Sequence, residues 1–384
     1  MFYYQKRGDI VIIYLLELFV GIIICNYIQS KTTKDRNKKI GLVILITFLS
    51  FIGGFRALSI GTDIGVYGKK YFDLAVSSNS YFEYLNLFTS TEPGYLLLNF
   101  MVSRFTDNLS FFFFILQLMC NTLIILTLYH YKKECPLWMS YTVYFCFFYG
   151  LTFNIMRQSC ALAIMFWAIR YIHEKNWIKY FISIFLAFSF HSTALVAGIL
   201  IFMIQLICKK ENKARIYTTF LIIICSIFSL IYIKDLIPLL YKFGIINERI
   251  YNYMFTFLNG TIDISWGETV FQIIFMIIAF LSLRKYKDKF ELNYFFVVTM
   301  IINFVLFQFR ILISYAHRFS FYFGYMNILL FPQCFESMNI KFKGINISKI
   351  VFVMLCLMFF IYKFIILGNS QIYPYKFIFS GGIV

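Results

Sequence analysis

The chain has 384 residues, of which 61% are hydrophobic and only 14% are charged. Soluble domains contain about 45–50% apolar and about 25% charged residues, so this composition excludes a water-soluble fold and indicates an integral membrane protein. The formal net charge of +17 does not indicate nucleic-acid binding. Lys and Arg are typical of the cytoplasmic loops of membrane proteins, and the chain has no basic domain with interleaved aromatic residues outside its apolar runs.

Apolar runs of suitable length predict an all-α, polytopic membrane protein with about 11 or 12 transmembrane helices, arranged as a single transmembrane domain over residues 1–384. The first run continues into a basic loop without a small-residue cleavage site, so we interpret it as a retained span and not as a signal peptide. The predicted spans are residues 10–28, 40–55, 109–129, 136–152, 157–173, 178–191, 193–208, 216–233, 267–283, 291–310, 317–335 and 350–367.

The positions of Lys and Arg predict the orientation of these spans. Six short segments hold more than half of the 35 basic residues, and we expect all six to lie in the cytoplasm. Both termini then lie outside. The segments are residues 30–39, 130–134, 173–179, 208–215, 284–289 and 336–349.

One stretch, residues 177–208, is too long for a single straight helix. A single helix there would also put the basic loop 209–215 on the outer side. We therefore predict that the helix breaks near His191 and Ser192.

Two segments on the outer side, residues 56–108 and 234–266, are long enough to form an extracytoplasmic active-site region. The first contains the apolar piece Gly94–Phe105, which is too short to cross a bilayer and is predicted to form an interfacial or re-entrant helix.

Arginine residues lie at the predicted outer ends of several spans. An ionised side chain at that depth is costly unless it faces protein, water or a counter-ion. Because the planar guanidinium can hold phosphate in a bidentate manner, a lipid-linked phosphate or pyrophosphate is the natural candidate ligand. The alternative is that these side chains reach lipid headgroups or pair with carboxylates of the outer side. They are Arg56, Arg157, Arg310 and Arg318.

Titratable side chains on the outer side supply candidates for acid–base chemistry. Of the four histidines, only His191 and His317 face outward on this topology. Histidine is the usual general base near neutral pH, although a histidine at a helix end is also a common capping residue. Asp63 and Glu92 are the carboxylate candidates, each two residues from a glycine that permits an irregular backbone.

Five short strings together resemble the EpsG group of Wzy-type polysaccharide polymerases. Their order matches over residues 10 to about 335, with Ile64 where the family often has a second Thr after the Asp. The strings are Arg56 with Gly61-Thr62-Asp63 and Tyr67, then Glu92-Pro93-Gly94-Tyr95, Arg157-Gln158, Phe190-His191-Ser192-Thr193-Ala194 and His317-Arg318.

The resemblance implies a bacterial inner-membrane glycosyltransferase whose fold is similar to that of metal-independent lipid-linked sugar transferases. Such a polymerase joins oligosaccharide repeat units carried on undecaprenyl pyrophosphate at the outer face, in the synthesis of O-antigen, capsule or exopolysaccharide. We therefore expect no cofactor and no metal. The expected partners are lipid-linked oligosaccharide, membrane lipids and a chain-length regulator protein, and not nucleic acid.

Within this hypothesis His191 is the candidate general base, with Asp63 or Glu92 as alternatives. Arginines neutralise the pyrophosphate and bind substrate. The expected catalytic residues are His191, Arg157, Asp63 and Glu92, and the expected substrate-binding residues are Arg56, Tyr67, Gln158, Arg310, His317 and Arg318.

Three other functions stay open at this point. A surface-polysaccharide ligase would use the same chemistry with a different acceptor. A flippase or transporter of lipid-linked sugars would carry polar residues at mid-span, where Glu17 and Asn303 are the notable ones. A purely structural assembly partner would not need outward arginines at the ends of its spans.

Overall fold

The computed structural model describes residues 8–88, 91–208, 266–283, 290–311 and 316–380, with a few short stretches between residues 224 and 252. The predicted span 216–233, the outer segment 234–266 and the basic loops 209–215 and 284–289 lie largely or wholly outside the described residues.

The described residues are helical almost throughout, which confirms the predicted all-α class. The described residues form two compact units, of which the first takes those up to residue 195 and from residue 331 onward, and the second takes those between 196 and 330. The helices up to the end of the first long segment are α1 Gly8–Gln29, α2 Asp35–Gly54, α3 Lys70–Ser77, α4 Tyr81–Asn86, α5 Pro93–Ser103, α6 Leu109–His130, α7 Leu137–Phe147, α8 Met156–His173 and α9 Trp177–Phe190.

The chain then passes through the second unit and returns to the first. The remaining described helices are α10 Thr193–Cys208, α11 Trp266–Leu283, α12 Phe290–Gln308, α13 Phe321–Gly324, α14 Asn327–Met338 and α15 Ile347–Phe360. Between α14 and α15 lies a small antiparallel hairpin of β1 Lys341–Phe342 and β2 Ile345–Asn346. Shorter π-helical or 3₁₀-helical turns cover Ile64–Lys69, Tyr149–Phe153, Phe309–Ile311, Ala316–Ser320, Ile361–Ile366, Asn369–Gln371 and Ile378–Ser380.

Several of these helices are membrane spans by length and composition. Five described helices are long and apolar enough to cross a bilayer, namely Ile12–Gln29, Asp35–Gly54, Leu109–His130, Tyr294–Ile311 and Ile347–Ile366. Three shorter apolar helices cover Trp177–Phe190, Thr193–Cys208 and Trp266–Ser282. The protein is therefore polytopic, whereas the total of 11 or 12 crossings stays a prediction.

The predicted break in residues 177–208 is confirmed. Helix α9 ends at Phe190 and α10 begins at Thr193, with His191 in an extended conformation at φ −157° and ψ 121°. The backbone N–H of His191 still donates to the carbonyl of Ala187 at 3.0 Å, so the last turn of α9 is closed by a helical hydrogen bond. This position holds the His191 side chain outside both helices.

Three of the predicted basic loops lie together at one end of the first unit. The Gln29 side chain donates to the carbonyl of Lys132 at 3.0 Å and accepts from the N–H of Leu137 at 2.7 Å. The Tyr131 hydroxyl is hydrogen-bonded to the His173 ring. The ends of α1, α6 and α8 therefore lie on the same side, as the distribution of Lys and Arg predicts.

At the opposite end of this unit, residues 372–378, which follow α15, contact α1 and the end of α2. The backbone N–H of Ala57 donates to the carbonyl of Lys376 at 2.8 Å, and the backbone N–H of Ile378 donates to the carbonyl of Phe55 at 2.9 Å. The Tyr14 hydroxyl donates to the carbonyl of Ile372 at 2.8 Å. The carboxy-terminal segment therefore lies beside the start of the first predicted outer segment.

Among the described residues of the second unit, several elements contact α12. Helix α11 lies against α12, and the turn Ala316–Ser320 and helix α13 also contact α12. At Gly324 a β-carbon would lie only 2.8 Å from the Asn303 side-chain oxygen. This glycine therefore lets α13 approach α12 closely.

Candidate functional site

The site is built where α5 begins beside the break between α9 and α10. Glu92 is in an extended conformation, and Pro93 occupies the first position of α5, where its missing N–H costs no helical hydrogen bond. A β-carbon on Gly94 would lie within 3 Å of the Ser189 backbone. The Pro-Gly pair therefore starts α5 against the last turn of α9 and brings Glu92 next to His191.

A single carboxylate joins His191 and Arg157. One oxygen of Glu92 lies 3.2 Å from Nδ1 of His191 and also accepts the backbone N–H of Ser192 at 3.1 Å. The other oxygen lies 2.5 Å from a guanidinium nitrogen of Arg157. The three side chains are between 13% and 23% exposed, so the cluster is half-buried and still open to a ligand.

The surroundings of Glu92 keep it ionised. Burial alone would raise its pKa, but the hydrogen bond to His191 and the positive charge of Arg157 outweigh burial and lower the pKa to about 2. Glu92 is therefore a carboxylate at any physiological pH. An ionised carboxylate only accepts hydrogen bonds, so Nδ1 of His191 carries the proton of this bond. In the neutral imidazole Nε2 is then the basic nitrogen.

Arg157 is held between this carboxylate and an aromatic ring. It is the second residue of α8, and its guanidinium carbon lies 4.1 Å from the centre of the Tyr67 ring. Tyr67 is itself fixed, because its carbonyl accepts the Tyr95 hydroxyl at 2.9 Å. A guanidinium has five N–H donors, so Arg157 can hold Glu92 and the oxygens of an anionic ligand together.

Asp63 lies at the start of the π-helical turn that carries Tyr67. The N–H of Tyr67 donates to the carbonyl of Asp63 at 2.8 Å, so Tyr67 lies one helical turn after Asp63. Asp63 makes no side-chain cap to this turn, and the Thr62 hydroxyl lies 3.5 Å from its carboxylate. Asp63 is half-buried and belongs to the same predicted outer segment as Tyr67, whereas Glu92 is the carboxylate in contact with His191.

Asn154 is a residue that sequence reasoning did not select. Its side-chain oxygen accepts both the N–H and, at 3.0 Å, the hydroxyl of Thr62, and its nitrogen donates to the carbonyl of Ser370 at 2.5 Å. Gly61 has φ +108°, and a β-carbon there would lie 2.8 Å from the carbonyl oxygen of Phe153. Asn154 therefore joins the Gly61-Thr62 turn to the carboxy-terminal segment. A single Asn in a loop gives no sequence signal for such a role.

Arg56 has a structural position that differs from the expected one. It is 1% exposed, and its guanidinium donates to the carbonyls of Gly53, Ile60 at 3.2 Å and Phe153 at 3.0 Å. It also lies over the ring of Phe113, 4.9 Å from its centre. The buried guanidinium satisfies backbone carbonyls at and after the end of α2, and a role for Arg56 in substrate binding stays a prediction.

The remaining predicted residues fall into two groups. Gln158 is buried within α8 and follows Arg157 directly. Arg310, His317 and Arg318 lie in the second unit and are half-buried. Arg310 donates to the Thr269 hydroxyl at 2.8 Å, and the His317 ring meets Phe321 edge-on at 5.6 Å between ring centres. The cluster of Glu92, Arg157 and His191 belongs to the first unit.

A comparison with known protein families identifies the family of the chain. The model of the EpsG family matches residues 39–377, which cover nearly the whole chain and all the candidate site residues of this subsection. The chain belongs to the EpsG family. EpsG-family proteins are Wzy-type polymerases. No curated protein and no solved structure matches the chain at the threshold of these comparisons.

Family membership supports a polysaccharide polymerase of the glycosyltransferase type, in agreement with the coarse function predicted from the sequence. In this EpsG-family protein the Glu92-Pro93-Gly94 and His191-Ser192 strings are about 100 residues apart in the chain and meet in one hydrogen-bonded cluster.

Proposed function

We propose that this EpsG-family protein joins oligosaccharide repeat units carried on undecaprenyl pyrophosphate at the outer face of a bacterial inner membrane. The observation that carries the proposal is the single Glu92 carboxylate that holds a histidine and an arginine side by side. A glycosyl transfer of this kind needs a base for the attacking hydroxyl and a cation for the leaving pyrophosphate. His191 and Arg157 supply these two groups.

In the proposed reaction a hydroxyl of one repeat unit loses its proton to Nε2 of His191 as its oxygen attacks the anomeric carbon of another unit. The bond from that carbon to the pyrophosphate oxygen breaks, and undecaprenyl pyrophosphate leaves with the bonding electrons. The guanidinium of Arg157 binds the charge that develops on the leaving group. Glu92 stabilises the imidazolium that forms, because its charge lies next to Nδ1.

The electrostatics favour His191 over Glu92 as the base. A carboxylate with a pKa of about 2 has little affinity for a proton at neutral pH, and both of its oxygens already accept hydrogen bonds. Glu92 is therefore a positioning residue in this proposal. Asp63 stays the alternative base, since it lies on the same outer segment as Tyr67.

The proposal also includes sugar-binding residues and a partner protein, but its main support is the cluster of Glu92, Arg157 and His191. Tyr67 and the neighbouring Tyr71 have ring centres 5.9 Å apart, which offers aromatic surface beside Arg157. Roles for Gln158, Arg310, His317 and Arg318 in substrate binding stay predictions. The same holds for the chain-length regulator, for the extracytoplasmic termini and for the absence of a metal or cofactor.

The test is a reconstituted assay in which the only sugar substrate is a purified undecaprenyl-pyrophosphate-linked repeat unit. The wild-type protein should produce a ladder of longer lipid-linked chains. His191→Gln should lower turnover by on the order of 10²–10⁴, the usual contribution of general base catalysis, because an amide cannot take the proton. Binding of the lipid-linked unit should persist, since Arg157 and Glu92 are unchanged.

The assay also separates the alternatives. A surface-polysaccharide ligase would leave single units unjoined in this mixture and would transfer them to a different acceptor. A flippase or transporter would move the units between leaflets without lengthening them. A Gln variant with near-normal chain growth would remove His191 from the base role and make Asp63 the next residue to test.

A further inference from the structure

The end of α1 and the start of α2 form a feature that the proposed polymerase site does not use. A cavity of about 580 Å³ opens there on the side of the basic loops, and a second cavity of about 440 Å³ adjoins it. Tyr27, Asn37 and Ile40 line both cavities. Each volume falls in the range of known small-molecule sites.

The two cavities differ in chemistry. The first is lined by the polar turn between the helices and by the basic side chains of Lys34 and Arg36. The second is a groove lined by Ile23, Ile24 and Ile44. A polar, basic chamber that continues into an apolar groove matches a molecule with an anionic head and a hydrocarbon chain.

Helical spacing explains the groove. Asn37, Ile40, Gly41 and Ile44 lie three and four residues apart and therefore share one face of α2. A β-carbon on Gly41 would lie 2.8 Å from the Ile28 side chain, so this glycine brings α2 close to α1 and leaves the groove floor bare. Ile40 and Ile44 remain about half exposed, at 47% and 52%.

The polar chamber is ordered by its own hydrogen bonds. The Thr33 hydroxyl donates to the carbonyl of Tyr27 at 2.8 Å, and the hydroxyls of Ser30 and Thr32 lie 2.9 Å apart. The nearby carboxylate of Asp35 pairs with Lys38 at 3.1 Å. Within the described part of the chain no carboxylate pairs with Lys34 or Arg36, so both side chains are available to an anion.

We propose that this amphipathic cavity binds an anionic glycerophospholipid of the surrounding bilayer. Its phosphate lies between Lys34 and Arg36, and one acyl chain follows the groove past Ile40 and Ile44. The charge of the chamber complements the phosphate, and basic pockets between transmembrane helices on the cytoplasmic side are typical sites for anionic headgroups. Helix α2 has 20 residues, or about 30 Å, which separates this cavity from Arg56 at the other end of the helix.

The experiment measures lipid retention by native mass spectrometry of the full chain in detergent, with added phosphatidylglycerol or phosphatidylcholine. We expect phosphatidylglycerol to bind preferentially. Lys34→Gln combined with Arg36→Gln should weaken the affinity for phosphatidylglycerol by roughly 30-fold. The matched control combines Lys31→Gln with Lys39→Gln, which removes two exposed basic residues of the same region that do not line the cavity. The control should bind like the wild type.

Further measurements test the groove and the source of the phosphate. Ile44→Trp should weaken phosphatidylglycerol binding by filling the groove, and millimolar inorganic phosphate should not displace the lipid. Three results would each overturn the proposal. The two double variants could lose phosphatidylglycerol affinity equally, the protein could retain phosphatidylcholine as well as phosphatidylglycerol, or inorganic phosphate could displace the bound lipid. Preferential retention of a polyprenyl phosphate over phosphatidylglycerol would also overturn it, since the cavity would then be a carrier site.

Discussion

The substitution Glu92→Gln removes the charge that joins His191 and Arg157 while keeping the shape of the side chain. The pKa of Glu92 is about 2 in the folded protein against an ordinary 4.5, a difference that corresponds to roughly 3 kcal/mol of stabilisation at neutral pH. A carboxyl whose pKa is depressed on folding contributes this stability above pH 4.5. The contribution is lost as the pH falls from 4.5 towards 2. The difference in stability between wild type and variant should therefore disappear as the pH falls from 4.5 towards 2.

Thermal unfolding of the purified protein in detergent measures the effect. At pH 7 the variant should unfold several degrees below the wild type, and the two midpoints should converge between pH 4.5 and 2.5. Asp73→Asn is the matched control, because Asp73 is an exposed carboxylate of the same predicted outer segment. The account of Glu92 would be refuted if the two unfolding midpoints differed as much at pH 2.5 as at pH 7. It would also be refuted if they did not differ at pH 7.

The same variant separates a positioning residue from a base. Because Glu92 acts through His191 in the proposed reaction, Glu92→Gln should lower chain growth by at least tenfold but by no more than His191→Gln does. The double variant should grow chains no more slowly than His191→Gln alone, since residues that act as a unit are not additive. A double variant that loses the product of the two single effects would show that Glu92 contributes independently of the histidine.

Three further outcomes follow from the same structure. Arg157→Lys should leave the protein in the membrane but lower chain growth strongly, because an ammonium cannot reproduce the bidentate fork of the guanidinium. The measurement is the initial rate of chain growth at several concentrations of lipid-linked substrate. Arg56→Ala should instead lower the amount of protein in the membrane fraction, since backbone carbonyls would lose a buried partner; normal abundance with lost activity would return Arg56 to substrate binding. Reporter fusions after residues 34, 132 and 342 should read cytoplasmic, and those after 75 and 375 should read outside. Opposite readings at 75 and 375 would contradict the contact of Ala57 with Lys376.

Much of the fold was predictable because the bilayer imposes few choices. Spans are recognised by length and apolarity, and boundaries such as 109–129 and 193–208 agree closely with α6 and α10. The break at His191 was predictable from length and from the charge of the following loop. The division into two compact units was not, because it depends on which helices contact one another.

The sequence selected Glu92, Arg157 and His191, which the structure brings into contact, but it could not distinguish them from the candidates that lie elsewhere. Arg56 and Arg157 give the same sequence signal, an arginine at the outer end of a span. In the structure Arg56 is fully buried against backbone carbonyls, whereas Arg157 faces a carboxylate at the rim of a half-buried cluster. The difference comes from the backbone turns around each residue, and no local pattern of residue types encodes these turns.

The site residues share a position in the chain that explains why they meet. Glu92 precedes α5, Arg157 is the second residue of α8, and His191 lies between α9 and α10. Helix ends leave backbone N–H groups without helical partners, and Glu92 meets one of them by accepting the N–H of Ser192. The helix ends at which Glu92, Arg157 and His191 lie therefore supply both the side chains of the cluster and a backbone N–H that has no helical partner.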